Sequence, residues 1–592
     1  MKAKFKNFLT CIMLVPITAT AFADVNEKGI EYYRAELYGA AKIFFLQQTG
    51  TSTQEQAENN YYLGQTYYKL GLKDSAQFYY DRSIETDAEY PFGYIGNGSL
   101  ELEKGNLKQA EELFKQATAH AKKDPSVPTL VAEAYVEHGK YGEAAEALKK
   151  ARKINNKYSG IYTTEGDMMM KQDKIGDAMQ RYDNAILFNN QEKAAYLKCA
   201  QVYKDINPER SLEYLGDLFK IDPVYIPAFA LLGDIYRVKG DAYKENNDTV
   251  NYEAAYTKAL DAYEKFISIP GVPTIQHERY AQLLFFTKRY ELAEKEIEAI
   301  LNIDPKNTVM KRIQAYNNFA LGKDDLALEQ ITNFLTITPI DKQLSVDHTA
   351  QGDIYLKKGL LKEAEASYNN ALKIDESKKA LLYVKLLQAA KDAKDYPAAI
   401  GFYEKYFEAT PDYSTLDLFT YGQQCYSAAA AYTETEVIAA EKNDSSLATA
   451  NETAFNTYIQ KADKAFSDVI SRKTDNYLGY FWKARLYTIT DAFNKERGRE
   501  FTGYAKKYYE EALPLLIENN TNGARKDDIV ESYRYLGNYY YSIEKSTEKL
   551  GESYRKILEY DPDNAQAKKV LDGIKKHKAA QAAAAAKAAQ GN

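Results

Sequence analysis

Residues 60–84 read NYYLGQTYYKLGLKDSAQFYYDRSI, and this stretch contains six tyrosines. The whole chain of 592 residues has 52 Tyr against 24 Phe and a single Trp. A tyrosine can fill a core with its ring or offer a rigid, amphipathic surface to a partner. The stretch therefore raises one question about both fold and function: do these rings form a core or a binding surface?

Small residues recur every 34 positions from this stretch onward. Ala76 is followed by Ala110, Ala144 and Ala178, which lie in GNLKQAEELF, GKYGEAAEAL and DKIGDAMQRY. Each period contains two helical apolar patterns with a turn between them. A strict 34-residue period of this kind closely resembles the tetratricopeptide repeat, a helix-turn-helix unit that stacks into a solenoid.

The packing expected inside each unit follows from residue size. Small residues let two helices approach closely, and aromatic rings fill the space beside them. The small residues are Gly64, Gly98, Ala132 and Gly166, and the aromatic residues are Tyr80, Phe114 and Tyr182. We therefore predict that Tyr67 and Tyr80 belong to the core of the quoted unit.

The resemblance predicts an all-α protein, a right-handed superhelical solenoid of about fourteen helix-turn-helix units. Four segments are expected: a signal peptide at 1–23, a regular array at 24–410, a degenerate array with insertions at 411–574 and an Ala/Lys-rich tail at 575–592. Polar insertions near 240–251, 433–452 and 489–500 are expected to lengthen helices and to form surface loops.

The N-terminus has the order of a secretory signal. Three lysines within the first six residues precede an apolar run from Phe8 to Ala23, whose last three residues are Ala-Phe-Ala. The run is shorter than the about 20 residues that a membrane-spanning helix needs. We expect cleavage after Ala23 and export, with the mature protein in the periplasm or peripheral to the outer membrane.

Net charge argues against nucleic acid as a partner. The formal charge is −7, and removal of residues 1–23 deletes three lysines and no acid, which changes it to −10. An acidic protein repels the phosphate backbone, so nucleic-acid binding is not expected.

Catalytic motifs are missing from the sequence. It contains no GxxxxGK phosphate loop, no GxSxG elbow and no HExxH zinc motif. The five histidines are far apart, and neither Cys199 nor Cys425 has a second ligand at metal spacing. We expect no enzyme activity, no metal and no cofactor, and we expect both cysteines to be small buried apolar residues.

The resemblance implies that the first helix of each unit lines a concave groove. In the quoted unit, Tyr61, Gln65 and Tyr68 lie on one helical stripe. Projected along the chain, the stripe gives these candidate partner-binding residues: Tyr61, Gln65, Tyr68, Glu133, Asp167, Asp234, Gln282, Phe285, Asp353, Phe481, Arg485 and Asn538. The prediction is therefore that some tyrosines are core and others face a partner.

Two functions remain open from the sequence. The first is a non-catalytic exported scaffold that binds proteins or peptides in its groove, in cell-envelope assembly. The alternative is a glycan-binding component of a nutrient-uptake system, because stacked tyrosines can hold sugars. The chain resembles an α-helical glycan-capturing family only in its repeat units. It lacks the lipoprotein cysteine and the irregular repeats that are usual in that family.

One modification site is expected in the first insertion. Asp248-Thr249-Val250 resembles the Asp-Ser/Thr-aliphatic sites at which exported proteins of some Bacteroidetes are O-glycosylated. Because Thr249 lies in a polar insertion, we expect its hydroxyl to be accessible to modification.

Overall fold

The computed structural model describes residues 26–442 and 444–589, with side chains up to residue 585. The predicted signal peptide lies outside these residues. Within the described ranges the chain forms α-helices and four short 3-10 turns, and no residue there is in a strand. Among the same residues, no helix is long and apolar enough to cross a membrane.

Thirty α-helices follow one another along the described chain. They are α1 Glu27–Arg34, α2 Tyr38–Gln47, α3 Thr53–Lys69, α4 Lys73–Thr86, α5 Phe92–Glu103, α6 Leu107–His120, α7 Ser126–Glu137, α8 Tyr141–Ile154, α9 Ser159–Met170, α10 Ile175–Phe188, α11 Lys193–Ile206, α12 Pro208–Ile221, α13 Ile226–Glu245, α14 Thr249–Ile267, α15 Thr274–Phe286, α16 Tyr290–Ile303, α17 Thr308–Ala320, α18 Asp324–Ile337, α19 Ser345–Lys357, α20 Leu361–Ile374, α21 Lys379–Asp392, α22 Tyr396–Ala409, α23 Thr415–Ala430, α24 Thr435–Glu441, α25 Ser445–Arg472, α26 Tyr477–Glu496, α27 Ala505–Glu518, α28 Lys526–Ser542, α29 Thr547–Tyr560 and α30 Ala565–Ala589.

Neighbouring helices pack in adjacent pairs, which confirms the all-α solenoid. Thirty helices match the predicted fourteen or so two-helix units, with α24 inside an insertion and α30 as a single last helix. We call the two members of each pair its first and second helix. The contacts divide the chain into two compact units, unit 1 up to Gln330 and unit 2 from Ile331.

The predicted boundary near residue 411 marks a change in the repeat pattern. The packing of the helices continues across it. In unit 2, one apolar cluster runs without a break from Ala364 to Leu486. The pattern becomes irregular after Pro411 because insertions change the spacing, while the helices continue to bury their faces on one another.

The insertions lengthen helices, as predicted. Around the first insertion, α13 and α14 have 20 and 19 residues, and around the other two, α25 and α26 have 28 and 20. The two insertions of unit 2 pack on each other, since the rings of Phe455 and Phe493 stack at 3.7 Å and Arg497 pairs with Glu441. The tail continues α30 as a helix, exposed from residue 575 to 585.

The predicted small-residue and aromatic pairs are confirmed. A Cβ atom added to the glycine of the first helix would lie only 2.3 to 2.6 Å from an aromatic ring of the second helix. The predicted pairs are Gly64–Tyr80, Gly98–Phe114 and Gly166–Tyr182, and the structure adds Gly352–Tyr368. At this distance a methyl group and a ring overlap, so the glycines set how closely the two helices approach.

We predict that Gly352→Ala destabilises unit 2 by about 1–3 kcal/mol, because the new methyl group must displace the Tyr368 ring. Urea unfolding followed by circular dichroism measures this loss. Gly401→Ala is the matched control, because Gly401 lies in α22 with no atom within 4 Å of an added Cβ. It should leave stability unchanged or raise it by up to about 1 kcal/mol. Equal effects of the two substitutions would contradict the packing account.

Candidate partner-binding surface on the first helices

Two of the predicted groove residues are buried, which corrects their predicted position. Tyr61 is 2% exposed and Phe481 is 1% exposed. The Tyr61 ring lies between Phe92 and Tyr80, at centroid distances of 5.3 and 6.1 Å, and the Phe481 ring meets Tyr509 at 6.0 Å. Both rings fill the space between neighbouring helices, so neither offers surface to a partner.

Three of the four predicted groove acids, Asp167, Asp234 and Asp353, accept hydrogen bonds from the chain's own tyrosines. Asp353 follows Gly352, and the Tyr368 ring that covers this glycine donates its hydroxyl proton to the Asp353 carboxylate. We call this arrangement a Gly-Asp seat. It occurs four times: Gly166-Asp167 with Tyr182, Gly233-Asp234 with Tyr263, Gly240-Asp241 with Tyr256, and Gly352-Asp353 with Tyr368.

A cation neutralises the acid in each of the four seats. In three of them it comes from the next first helix: Lys198 is 2.8 Å from Asp167, Arg279 lies at 2.9 and 3.0 Å from the two oxygens of Asp234, and Lys385 lies at 2.7 and 2.9 Å from those of Asp353. In the fourth seat the cation comes from the same helix. Three seats therefore join one repeat to the next.

The seats explain why tyrosine rather than phenylalanine stands at these four positions. A buried hydroxyl without a partner is costly, and the carboxylate supplies that partner. Burial raises the pKa of Tyr182, Tyr263 and Tyr368, and the nearby Asp167, Asp234 and Asp353 carboxylates raise it further. These tyrosines therefore stay protonated and donate. The acids that the stripe predicted as partner contacts have a structural role inside the array.

Helix α1 contacts one of the predicted groove residues in unit 1 and also reaches α11. The Tyr33 hydroxyl of α1 donates to Gln65 at 3.2 Å. Lys193, at the start of α11, pairs with Glu31 of α1 and lies 3.3 Å from Asp222. The chain's own N-terminal helix thus occupies space beside the predicted residues of α3.

Two further contacts join the first helix pair to later segments of unit 1. Arg34 of α1 lies 3.9 Å from Glu192. A Cβ on Gly39 would lie 2.2 Å from the backbone oxygen of Gly271, so the two backbones touch directly. Only a residue without a side chain fits such an approach. Sequence periodicity cannot show this closure, because it joins segments that are far apart in the chain.

Glu133 is exposed on α7, where Arg34, Asp167 and Lys198 act on its charge. Water reaches its carboxylate, but surrounding protein and the negative charge of Asp167 raise the pKa of Glu133, while Arg34 and Lys198 oppose the rise. Thr164 donates a hydrogen bond to it at 3.1 Å. The positive charges of Arg34 and Lys198 therefore partly offset the negative charges of Glu133 and Asp167.

The other predicted residues are spread over both units. In unit 1, the Tyr68 hydroxyl lies 3.5 Å from His138, and Phe285 joins an aromatic group with Tyr290 and Tyr316. Gln282 is half-buried on α15.

In unit 2, Arg485 makes two hydrogen bonds to Glu531, at 2.8 and 2.6 Å. Asn538 is exposed and accepts a hydrogen bond from Tyr554 at 3.0 Å. Within unit 2, Arg485 and Asn538 therefore have different neighbours.

Unit 2 has an exposed aliphatic surface that the sequence pattern did not predict. Val346, Leu381 and Leu416 are 44%, 58% and 68% exposed and lie in the first turns of α19, α21 and α23. Successive members are 35 positions apart, so they occupy the same place in three consecutive repeats. We call them the aliphatic row. Each of these three repeats has an aliphatic residue at this position. A sequence pattern of that kind usually indicates a core position.

Several other sequence expectations concern single residues. Thr249 is exposed in the first turn of α14, beside the Asp248 cap, so its hydroxyl is accessible; its glycosylation stays a prediction. Cys199 and Cys425 are free and fully buried, as expected. Among residues with described side chains, no group of three His, Cys, Asp or Glu could hold a metal ion.

Comparison with known proteins identifies the repeat in both units. Family descriptions of the tetratricopeptide repeat match residues 57–90 and 101–162 of unit 1 and residues 348–378 of unit 2. No curated protein sequence is detectably similar to this chain.

Solved structures similar to parts of the chain are repeat proteins as well. The C-terminal part of a TPR repeat-containing protein from Cytophaga hutchinsonii is 25% identical, with a TM-score of 0.32, and the match covers 50% of this chain and 99% of that one. A tetratricopeptide repeat protein from Parabacteroides merdae is 18% identical with a TM-score of 0.27, and the match covers 45% and 98%. YrrB, described as a TPR protein with an unusual peptide-binding site, is 20% identical with a TM-score of 0.21, over 31% and 91%.

We predict that Tyr368→Phe destabilises the protein by about 1–2 kcal/mol, because the Asp353 carboxylate loses the hydroxyl donor while the ring contact with Gly352 remains. Chemical unfolding measures the loss. Tyr541→Phe removes a hydroxyl from an exposed tyrosine of the same unit and should change stability by less than about 0.5 kcal/mol. If the two variants unfold alike, the seat contributes nothing.

Proposed function

The chain is a tetratricopeptide repeat protein, and we propose that it is a non-catalytic exported scaffold that binds partner proteins or peptides through its first helices, in cell-envelope assembly. One observation carries the proposal. Unit 2 keeps an aliphatic row exposed on three consecutive first helices, where burial would stabilise the fold. Aligned apolar side chains left in water are typical of a surface that a partner covers.

The remaining groups on the first helices support binding rather than catalysis. Asp353 is held by Tyr368 and Lys385, and Arg485 is held by Glu531. A general acid or base needs a proton-transfer partner within reach in an open cleft. Charged groups whose hydrogen bonds are already made within the fold are more typical of a rigid binding surface than of a reaction centre.

Export and an envelope role rest on the sequence. Residues 1–23 have the lysine, apolar and small-residue order of a secretory signal. The mature chain would carry a net charge of −10, which keeps a long repeat array soluble and disfavours nucleic acid. A scaffold for other exported proteins is the function that is consistent with both the export signal and the exposed aliphatic row.

We predict that photo-crosslinking residues placed at Gln388 of α21 and Gln282 of α15 capture a defined polypeptide in the producing cells. Both positions lie on first helices and are at least partly exposed. Matched positions Lys220 and Lys556, on the exposed faces of the second helices α12 and α29, should capture none. Mass spectrometry of the crosslinked bands identifies the product, and cell fractionation reports the compartment.

Equal capture from first and second helices would contradict a dedicated binding face. A protein retained in the cytoplasm would contradict export. Binding of oligosaccharides by the purified protein, with no crosslinked polypeptide, would contradict the scaffold and favour the glycan-binding alternative.

A further inference from the structure

A cleft with tyrosine walls lies in unit 2, beside the third insertion. Its volume is about 340 Å³. The lining residues are Tyr487, Gly503, Tyr504, Lys506, Lys507, Tyr508 and Glu510. We call it the tyrosine cleft. Tyr487 belongs to α26 and Tyr508 to α27, while Tyr504 stands directly before α27. The cleft therefore forms where the insertion near 489–500 joins these two helices.

The loop that carries Tyr504 is held by a buried carboxylate. Asp491 is 4% exposed and accepts hydrogen bonds from the Thr502 backbone at 2.8 Å, the Thr502 hydroxyl at 2.6 Å and the Gly503 backbone at 3.2 Å. A Cβ on Gly503 would lie only 2.7 Å from the Tyr539 ring, so the loop also packs closely on α28. Because these contacts fix the loop, the cleft has a defined shape before any ligand binds.

The three tyrosine rings differ in exposure. Tyr487 and Tyr508 stack at a centroid distance of 5.5 Å with their planes 9° apart, and both are half-buried. The Tyr504 ring contacts Tyr487 edge-on at 5.8 Å, and Tyr504 is 64% exposed. Tyr504 therefore presents a large ring surface on which a flat apolar group can pack.

The polar groups that the fold leaves unused in the cleft include one cation. Among the described residues, the hydroxyls of Tyr504 and Tyr508 have no hydrogen-bond partner. The Lys507 side chain is 69% exposed, and its ammonium group is 4.0 Å from the Glu511 carboxylate, beyond hydrogen-bond distance. An ammonium group only donates hydrogen bonds, so the ligand group that fits beside it is a negatively charged acceptor such as a carboxylate.

Two lysines argue against a cationic ligand, although cations commonly bind to aromatic rings. The Nζ atoms of Lys483 and Lys507 lie 5.0 and 5.5 Å from the centroid of the Tyr508 ring. The chain itself therefore supplies the cations at this ring. A further positive charge in the cleft would be repelled, whereas a negative charge would be attracted.

The size of the cleft favours a single ring. Ligand sites have volumes of about 300–1,000 Å³, so a volume of about 340 Å³ is at the lower end. An oligosaccharide has several rings and also needs acceptors for its hydroxyl groups. The one carboxylate among the described lining residues, Glu510, already binds Lys506 at 3.0 Å and Tyr540 at 2.8 Å. One aromatic side chain of a polypeptide suits the space better, and such anchors supply much of the binding energy of protein interfaces.

We propose that the tyrosine cleft of unit 2 binds a segment of a partner protein in which an aromatic residue stands next to an aspartate or glutamate. The aromatic ring packs against Tyr504, and the neighbouring carboxylate accepts a hydrogen bond from Lys507. This inference rests on the proposed scaffold function and names a class of segment that the scaffold recognises.

Peptide-observed NMR titration tests the proposal on the full chain, because broadening of the peptide resonances as protein is added gives the dissociation constant. The probe is the peptide Gly-Ser-Phe-Glu-Ser-Gly, and its two controls replace Phe by Ala or Glu by Gln. We expect each control to bind at least about fivefold more weakly. Added salt should weaken binding of the Phe-Glu peptide more than that of the Phe-Gln peptide. Maltotriose is the saccharide probe and is expected not to bind.

Two single variants separate the ring contact from the charge. Tyr504→Ala should weaken binding of both the Phe-Glu and the Phe-Gln peptide, and Lys507→Gln should weaken binding of the Phe-Glu peptide alone, each by at least about fivefold. The matched controls Tyr541→Ala and Lys556→Gln change an exposed tyrosine of α28 and an exposed lysine of α29, which do not line the cleft. Both controls should bind like the unmodified protein, and circular dichroism confirms that all four variants are folded.

The outcomes separate this inference from the proposed function. Equal affinity for the Phe-Glu peptide and its controls, unchanged binding by Tyr504→Ala or Lys507→Gln, or binding of maltotriose in place of the peptide would each overturn the inference. If crosslinking at Gln388 still captures a polypeptide in those cases, the scaffold function stands and only the assigned segment is wrong. If neither peptide binding nor capture is seen, both proposals are wrong.

Discussion

The contact between a tyrosine ring and a bare glycine backbone is the constraint on which the rest of the structure depends. Where the glycine is followed by aspartate, one tyrosine side chain does two things: its ring fills the gap between the helices of a pair, and its hydroxyl satisfies a carboxylate on the first helix. At Tyr182, Tyr263 and Tyr368 that carboxylate also holds a cation from the next repeat. The aspartate of each of these seats therefore contributes both to packing within a repeat and to the contact between neighbouring repeats.

This arrangement answers whether the tyrosines are core or surface. In the seats they are core residues with a polar tip. In the opening stretch, Tyr61, Tyr62 and Tyr80 are buried, whereas Tyr67, Tyr68 and Tyr79 are half-buried. Tyr80 lies on Gly64, and Tyr61 is buried beside it. The predicted groove acids Asp167, Asp234 and Asp353 consequently bind tyrosines and cations of the chain itself. The aliphatic row is one of the surfaces of unit 2 that are open to a partner, and its Leu416 keeps 68% of its surface exposed.

Much of the fold was predictable because the relevant interactions are local. The 34-residue period, the glycine-aromatic pairs and the lengthened helices at the insertions each depend on residues within one unit. The ion pairs of Asp167, Asp234 and Asp353 could not be predicted, because helical spacing shows which residues share a face, not which cation of the next helix meets them. The Gly39–Gly271 contact could not be predicted, because no period relates those two segments.

The central claim is that the seats serve stability and the row serves recognition. The most direct test measures both properties in two single variants of unit 2, Asp353→Ala and Leu381→Gln, using urea unfolding and the affinity for the partner polypeptide that crosslinking at Gln388 captures. The account predicts that Asp353→Ala loses stability by about 1–3 kcal/mol and, while folded, keeps its affinity, since it leaves a buried hydroxyl and a cation without their partner. Leu381→Gln should keep its stability and lose affinity. An Asp353→Ala protein that is fully stable but no longer binds would contradict the account.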